Sequence, residues 1–349
     1  MNAECASDMA RAEGSDISGE TPAALAVEHL CVGHRELGAF IEDVSLEIAS
    51  GEVLALVGES GCGKSLTALS LMRLLPRGFE VTGGTIRLGT DDMLAKSERE
   101  LNAIRGRRVA MLFQQPQSML DPTSTAGAQV AEPLRLHLGM SRRNAGRRVV
   151  ELLREVGIPE PEYRARNYAF QLSGGMAQRV MIAAALGGNP DVLIADEPTT
   201  ALDVTIQLQI LKLLDRERRE RGLAVLLITH DLSVVAALAD RVAVMYAGRI
   251  VEQGATALIL RRPRHPYTQA LVGSSLLRER SAGTPDSWRE SAEFALHATR
   301  GCRYYARCPV TTREPVQARG RSREPVLDAH PDGGAVRCWA VAATDRREP

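Results

Sequence analysis

At 349 residues with 44% apolar content, the chain is long enough for two or three domains and can fill their cores, which excludes a small stapled peptide and a disordered chain. Lys and Arg total 43 and so do Asp and Glu, so no excess positive charge points to nucleic acid or anionic lipid, and no nucleic-acid partner is expected. Only Lys64, Lys96 and Lys212 are lysines, which makes the place of each informative. No apolar run approaches the roughly 18–20 residues of a membrane-spanning helix. The opening stretch, with Asp8, Glu13, Asp16 and Glu20 among Ser and Gly, lacks the basic start and apolar middle of a secretory signal, so the chain reads as cytoplasmic. Six cysteines are too few for a disulfide framework, although Cys302, Cys308 and Cys338 crowd the C-terminal end.

Residues 1–24, small and polar without a sustained apolar period, read as a disordered leader. From Val44 the run Val-Ser-Leu-Glu-Ile alternates with period two, as a half-buried strand does, and Ser50-Gly51-Glu52 punctuates it before the buried run Val53–Val57. Gly58-Glu59-Ser60-Gly61-Cys62-Gly63-Lys64-Ser65 follows and opens a helical run from Leu66 to Met72. In that context the glycines let backbone N–H groups converge on phosphate oxygens, and the helix N-terminus adds its dipole. Lys64 would reach the β- and γ-phosphates, and the Ser65 hydroxyl would ligate Mg²⁺. The nine residues Gly58, Glu59, Ser60, Gly61, Cys62, Gly63, Lys64, Ser65 and Leu66 are the candidate nucleotide cradle. Because a helix N-terminus lowers a thiol pKa, Cys62 is expected to react with maleimide and to be shielded by ATP.

Further buried runs at Val109–Phe113, Val192–Ala195, Ala224–Ile228 and Val242–Met245, separated by helical patterns, predict an α/β domain with a largely parallel sheet. Between about 115 and 172 the periodicity turns helical. Ser141 is the expected cap of a helix carrying Val149, Val150, Leu152, Leu153 and Val156 on one face. The run Asp191–Ala195 delivers Asp196-Glu197-Pro198 to a strand's C-terminal end, the ligand-binding edge of open α/β sheets. Asp196 is the candidate Mg²⁺ ligand and Glu197 the candidate base for an attacking water. The later strand ends in Thr229-His230-Asp231. There His230 is the candidate contact to the γ-phosphate and to Glu197, and Asp231 a helix cap. Beyond about Arg262 the composition shifts to Pro, Arg and scattered aromatics, an appended segment over 263–349.

These features leave several P-loop ATPase classes open; Leu172-Ser173-Gly174-Gly175-Met176 separates them, because it resembles the signature of ATP-binding-cassette (ABC) ATPases. The motif order agrees. Gln114 resembles the Q-loop glutamine, Thr200-Ala201-Leu202-Asp203 the D-loop, and His230 the switch histidine. The resemblance implies an ABC nucleotide-binding domain over 25–262, with a mostly parallel core, an antiparallel β subdomain and a helical subdomain at about 115–172. It implies ATP and Mg²⁺ as ligands, with Ser65, Gln114 and Asp196 at the metal and Glu197, His230 and Gln114 in hydrolysis. It also implies a head-to-tail pair of cassettes in which Ser173, Gly174, Gly175 and Asp203 face the partner's nucleotide. For the adenine, His34 is the best-placed stacking residue and Phe40 the next.

Within the family, Phe113-Gln114-Gln115-Pro116 and Gly174–Arg179 are similar to the subfamily that energises uptake of oligopeptides, dipeptides and nickel, though Ala177 stands where that subfamily usually has Arg. Pro263-Arg264-His265-Pro266-Tyr267-Thr268 is similar to the His-Pro-Tyr-Thr element of its extended C-terminus. The resemblance implies two integral-membrane permeases, a second ATPase of the same or a related chain, and an extracytoplasmic solute-binding protein. It places the chain peripherally on the cytoplasmic face of the bacterial inner membrane, with permease contacts around 115–138. The alternative is a soluble ABC ATPase of DNA repair or translation. Cys302, Cys308 and Cys338 resemble a tail in which some members hold four cysteines, thought to bind an iron–sulfur cluster. Here Pro315 stands near the fourth position. A cluster, or a zinc with His330 as a further ligand, is weighed against a metal-free tail.

Overall fold

The computed structural model describes residues 23–114, 119–199, 204–278, 301–312 and 314–342. Most of the expected leader, Gln115-Pro116, Thr200–Asp203 and the linker-like 279–300 lie outside them. Two sheets organise the chain. The smaller is antiparallel, in the order β2-β1-β4-β5, built from β1 (Leu25–His34), β2 (Gly38–Ile48), β4 (Phe79–Leu88) and β5 (Asp91–Asp92). The alternating run from Val44 is the second half of β2, whose Val44, Leu46 and Ile48 are buried while Glu47 is exposed. No run in β1 or β4 as clean as this announced them; Gly83-Gly84 and the offsets in β1 pairing interrupt their alternation.

The larger sheet runs β11-β12-β10-β9-β3-β8-β7-β6. Its centre is parallel: β6 (Val109–Leu112), β7 (Val192–Asp196), β8 (Ala224–Ile228), β3 (Val53–Val57) and β9 (Arg241–Tyr246). Every residue of β3, β6, β7 and β8 is buried, which is why these strands read as continuous apolar runs rather than alternating ones. β10 (Arg249–Ala255) turns back antiparallel on β9. The C-terminal tail then adds β12 (Ala335–Val336) and β11 (Asp328–Ala329), Glu252 facing Val336 and Gln253 facing Ala335. The segment that composition marks as appended thus continues the central sheet.

The helical region lies between β6 and β7 in sequence. Helix Arg142–Glu155 begins at Ser141, whose Oγ accepts the Asn144 N–H at 3.3 Å. It buries Ala145, Val149, Leu152 and Leu153, leaves Val150 half-buried, and is followed by buried Val156. These side chains join helices Ala126–Leu136 and Gly174–Gly187 in one apolar cluster. The last two pack closely: a Cβ on Gly187 would stand 3.3 Å from Pro133 Cγ. Asp231 caps helix Leu232–Leu238, accepting the Ser233 N–H at 2.8 Å. Among the described residues no helix is long and apolar enough to cross a membrane.

Candidate active site

β3 delivers the glycine-rich loop to the end of the sheet, and helix Lys64–Leu71 starts from it. Gly58 has no room for a side chain: a Cβ there would stand 2.2 Å from the Met245 carbonyl oxygen. Gly61 and Gly63 have φ of +80° and +108°, the region glycine enters without penalty. Lys64 is buried, and its Nζ donates to the carbonyls of Gly58 and Glu59 at 2.8 Å each. Ser60, Gly61 and Ser65 face outward, Leu66 is half-buried, and the loop's mouth is therefore open. Cys62 departs from expectation. It is fully buried, its carbonyl accepts the Gly248 N–H at 2.9 Å, and burial pushes its thiol up despite Lys64 alongside. Desolvation of the thiolate outweighs the helix terminus, so Cys62 is not the reactive thiol that its position suggests.

The acidic pair stands at the end of β7. Asp196 is 5% exposed and its Oδ1 has no hydrogen-bond partner. Burial raises its pKa, while a hydrogen bond with Ser65 and the charge of Lys64 act in the other direction. An orphaned buried carboxylate oxygen beside a serine hydroxyl is a donor set that fits a small hard cation such as Mg²⁺. Glu197 follows with φ +47° and its N–H donates to Ile228 O at 2.8 Å. One carboxylate oxygen, Oε2, accepts from Gln114 Nε2 at 2.7 Å, and the other, Oε1, lies 3.1 Å from His230 Nδ1.

Strand register explains this convergence. β6 pairs Leu112 with Ala195, so Gln114 arrives opposite Glu197; β8 pairs Ile228 with Asp196, so His230 leaves the sheet on Glu197's other side. Gln178, buried on the helix that starts at the signature, donates to Pro198 O at 2.7 Å and ties that helix to the acidic corner. The signature residues begin the helix: Ser173 Oγ accepts the Met176 N–H at 3.3 Å, and Ser173 and Gly174 are exposed with Gly175 half-buried. Asp203 lies outside the described residues.

His34 and Phe40 are brought together through a residue that sequence reading passed over. Phe79 packs edge-on to both, with ring centroids 5.0 Å from His34 and 5.1 Å from Phe40. Backbone links join this cluster to the loop, since Gly248 lies against Phe40 O and also holds Cys62 O. The tail contributes two further contacts that the sequence reading did not assign. Tyr267 Oη accepts the Glu59 N–H at 2.9 Å, and Arg307 forks onto the Glu59 carboxylate at 3.0 and 3.2 Å. Only Tyr267 had a signal, as part of the His-Pro-Tyr-Thr element.

Among the described residues no group of three His, Cys, Asp or Glu is disposed to hold a metal ion. Cys302 and Cys308 pack beside the aromatic cluster of Tyr246, Tyr267 and Tyr304, while Cys338 belongs to a separate cluster with Val316 and Val336. Burial pushes the Cys302 thiol up to about 12 and also raises that of Cys338, both packed among apolar side chains. His330 accepts the Asp332 N–H at 3.2 Å as part of a turn.

Known proteins share this architecture. Residues 41–200 match the family model described as ABC transporter, and residues 251–314 match the one described as oligopeptide/dipeptide transporter, C-terminal region. A probable peptide ABC transporter ATP-binding protein of Sinorhizobium fredii is 45% identical over 318 residues, 88% of this chain and 91% of that protein. The dipeptide transport ATP-binding protein DppD of Bacillus subtilis is 45% identical over 289 residues, 82% of this chain and 86% of its own. Among solved structures, the dimeric cassette MJ0796 in a post-hydrolysis state with ADP and Pi superposes with a TM-score of 0.60 at 28% identity, covering 66% of this chain and 98% of that one. The chain belongs to the ATP-binding proteins of the ABC transporter family, in the group that carries the oligopeptide/dipeptide transporter C-terminal region.

Proposed function

We propose that this chain is the ATP-binding and ATP-hydrolysing subunit of a bacterial ABC importer, energising uptake of peptides or related small solutes, with nickel or a metal chelate in the same class. The observation that carries the hydrolytic reading is the suspension of Glu197 between Gln114 and His230, one carboxylate oxygen to each. A carboxylate fixed at both oxygens is oriented to take a proton from a water attacking the γ-phosphate. Lys64 and the loop N–H groups bind the phosphates. Ser65, Asp196 and Gln114 would hold Mg²⁺, which when bound neutralises charge on the β- and γ-phosphates. Ser173 and Gly174, exposed at a helix N-terminus with Gly175 half-buried beside them, suit the phosphate held by a second cassette's loop, with Asp203 in the same interface.

Two integral-membrane permeases are the proposed membrane partners, served outside by a solute-binding protein, and the chain sits peripherally on the cytoplasmic face of the inner membrane. Support comes from the peptide-transport names of its relatives and from a groove between the core and the helical region, lined by apolar side chains together with Arg105, Asp121, Glu132 and Arg135. Leu74, Met119 and Leu136 lie in it and are 40%, 53% and 69% exposed, a surface suited to a permease's cytoplasmic helix. The test is to tag the protein in its host, solubilise membranes gently and identify what co-purifies. Two multi-span permeases support the proposal; recovery only from the soluble fraction with ribosomal or DNA-repair proteins refutes it.

A further inference from the structure

We propose that the C-terminal tail is a positioning clamp on the phosphate loop: Tyr267 and Arg307 fix Glu59 so that the peptide carrying Lys64's ammonium is set before nucleotide arrives. This rests on the reading of the loop as an ATP site. The geometry is specific to one peptide unit. The amide joining Gly58 to Glu59 presents its carbonyl oxygen to Lys64 Nζ at 2.8 Å, and its N–H to Tyr267 Oη at 2.9 Å. Tyr267 therefore restrains, from the outer side, the unit that restrains Lys64 from the inner side. Arg307 grips the Glu59 side chain through both guanidinium nitrogens, at 3.0 and 3.2 Å, a planar fork that holds an orientation as well as a charge.

A clamp needs a fixed far end, and the tail has one. Tyr304 packs on both Tyr246 and Tyr267, with centroids at 5.1 and 5.6 Å. Arg303 is buried, donates to Ala247 O and pairs with Glu42 at 2.7 Å. Arg337 donates to Ile250 O at 2.9 Å and pairs with Asp43 at 2.8 Å. The tail is thus anchored to β2, β9 and β10 while it touches the loop. Three of the loop's first six residues are glycines with positive φ, which have more backbone conformations open to them than other residues. If only part of the loop ensemble can receive phosphate, apparent affinity falls by that fraction, and a restraint on the competent shape restores it. Tyr267 and Arg307 are positioning residues in this scheme; neither is assigned a contact with nucleotide.

The test titrates Mg-ATP against the full-length protein in a Glu197→Gln background that blocks turnover, and measures KM and kcat with Glu197 intact. Tyr267→Phe keeps the ring packing and removes only the acceptor; Arg307→Gln removes the fork, and Arg307→Lys keeps charge alone. The Kd for ATP should rise about fivefold in Tyr267→Phe and in Arg307→Gln, the scale of one hydrogen bond, with Arg307→Lys between parent and Gln. KM should rise in parallel while kcat stays within about twofold, a split that general loss of folding does not produce. Glu59→Gln/Arg307→Gln should be no weaker than the worse single variant, because both remove the same contact. An unchanged Kd in Tyr267→Phe and Arg307→Gln, or losses that only follow a falling Tm, would overturn the clamp. Should Arg307→Gln fail to fold, Tyr267→Phe decides by the same criteria. Absence of ATP binding by the parent protein would overturn the ATP-site reading itself.

Discussion

Replacing Glu197 by Gln isolates the chemistry from the architecture. The side chain keeps its shape: the amide oxygen can still accept from Gln114 Nε2, and the amide NH₂ can face His230 Nδ1, so neither contact at 2.7 and 3.1 Å need be lost. What disappears is the negative charge and the capacity to accept a proton. Removing a positioned general base costs about 10²–10⁴ in rate, or about 3–5 kcal/mol of barrier. Nucleotide binding should survive, and the electrostatics favour it. The Glu197 charge is one of the influences raising the Asp196 pKa, so its removal leaves Asp196 more readily ionised for Mg²⁺. His230→Ala and Gln114→Ala each delete one of the two supports and should cost about ten- to a hundredfold, the worth of one hydrogen bond to a charged group. The assay is single-turnover phosphate release beside an ATP titration. Turnover of Glu197→Gln within threefold of the parent, at equal ATP occupancy, refutes the assignment of Glu197 as the base.

Three further outcomes follow from the surroundings of the site. Cys62, fully buried with its thiol pushed up, should resist maleimide in the folded protein at pH 7 whether or not ATP is present; rapid, ATP-protected labelling would contradict its burial. Gly58→Ala forces a Cβ to within 2.2 Å of a backbone oxygen and should cost more than about 3 kcal/mol. Gly61→Ala meets open space at φ +80° and should cost only about 1–2 kcal/mol; denaturant melts that rank the two in the opposite order would count against the loop geometry. Burial alone would raise the Asp43 pKa, but hydrogen bonds from His29 and Arg337 hold it below the ordinary value. A lowered folded-state pKa contributes stability that is present above the unfolded value, near 3.9, and is lost as pH falls through the folded value. The stability gap between parent and Asp43→Asn should therefore be full at pH 7 and shrink below about pH 4. A gap that does not vary with pH would show that this charge pair contributes nothing.

Short-range chemistry was legible without coordinates. The loop from Gly58 to Ser65, the acidic strand end, Ser141 and Asp231 as caps, and the five central strands each rest on local signals: glycine where φ is positive, a cap oxygen three or two residues ahead of its N–H, unbroken apolar runs where both faces of a strand are covered. Position along the chain misled at Cys62, because a thiol's ionisation depends on how much water surrounds it, and burial is a property of the whole fold.

Residue identity determines which side chains can do chemistry, and strand register decides which of them meet. Gln114, Glu197 and His230 are separated by 83 and 33 residues and come into contact only because β6 and β8 flank β7 at the observed offsets. Long-range contacts of this kind leave no periodic trace, since each strand's pattern records that it is buried but not against what. The same reason hid Phe79 between His34 and Phe40, and hid the tail's hold on Glu59, reached by Tyr267 and Arg307 from 208 and 248 residues away.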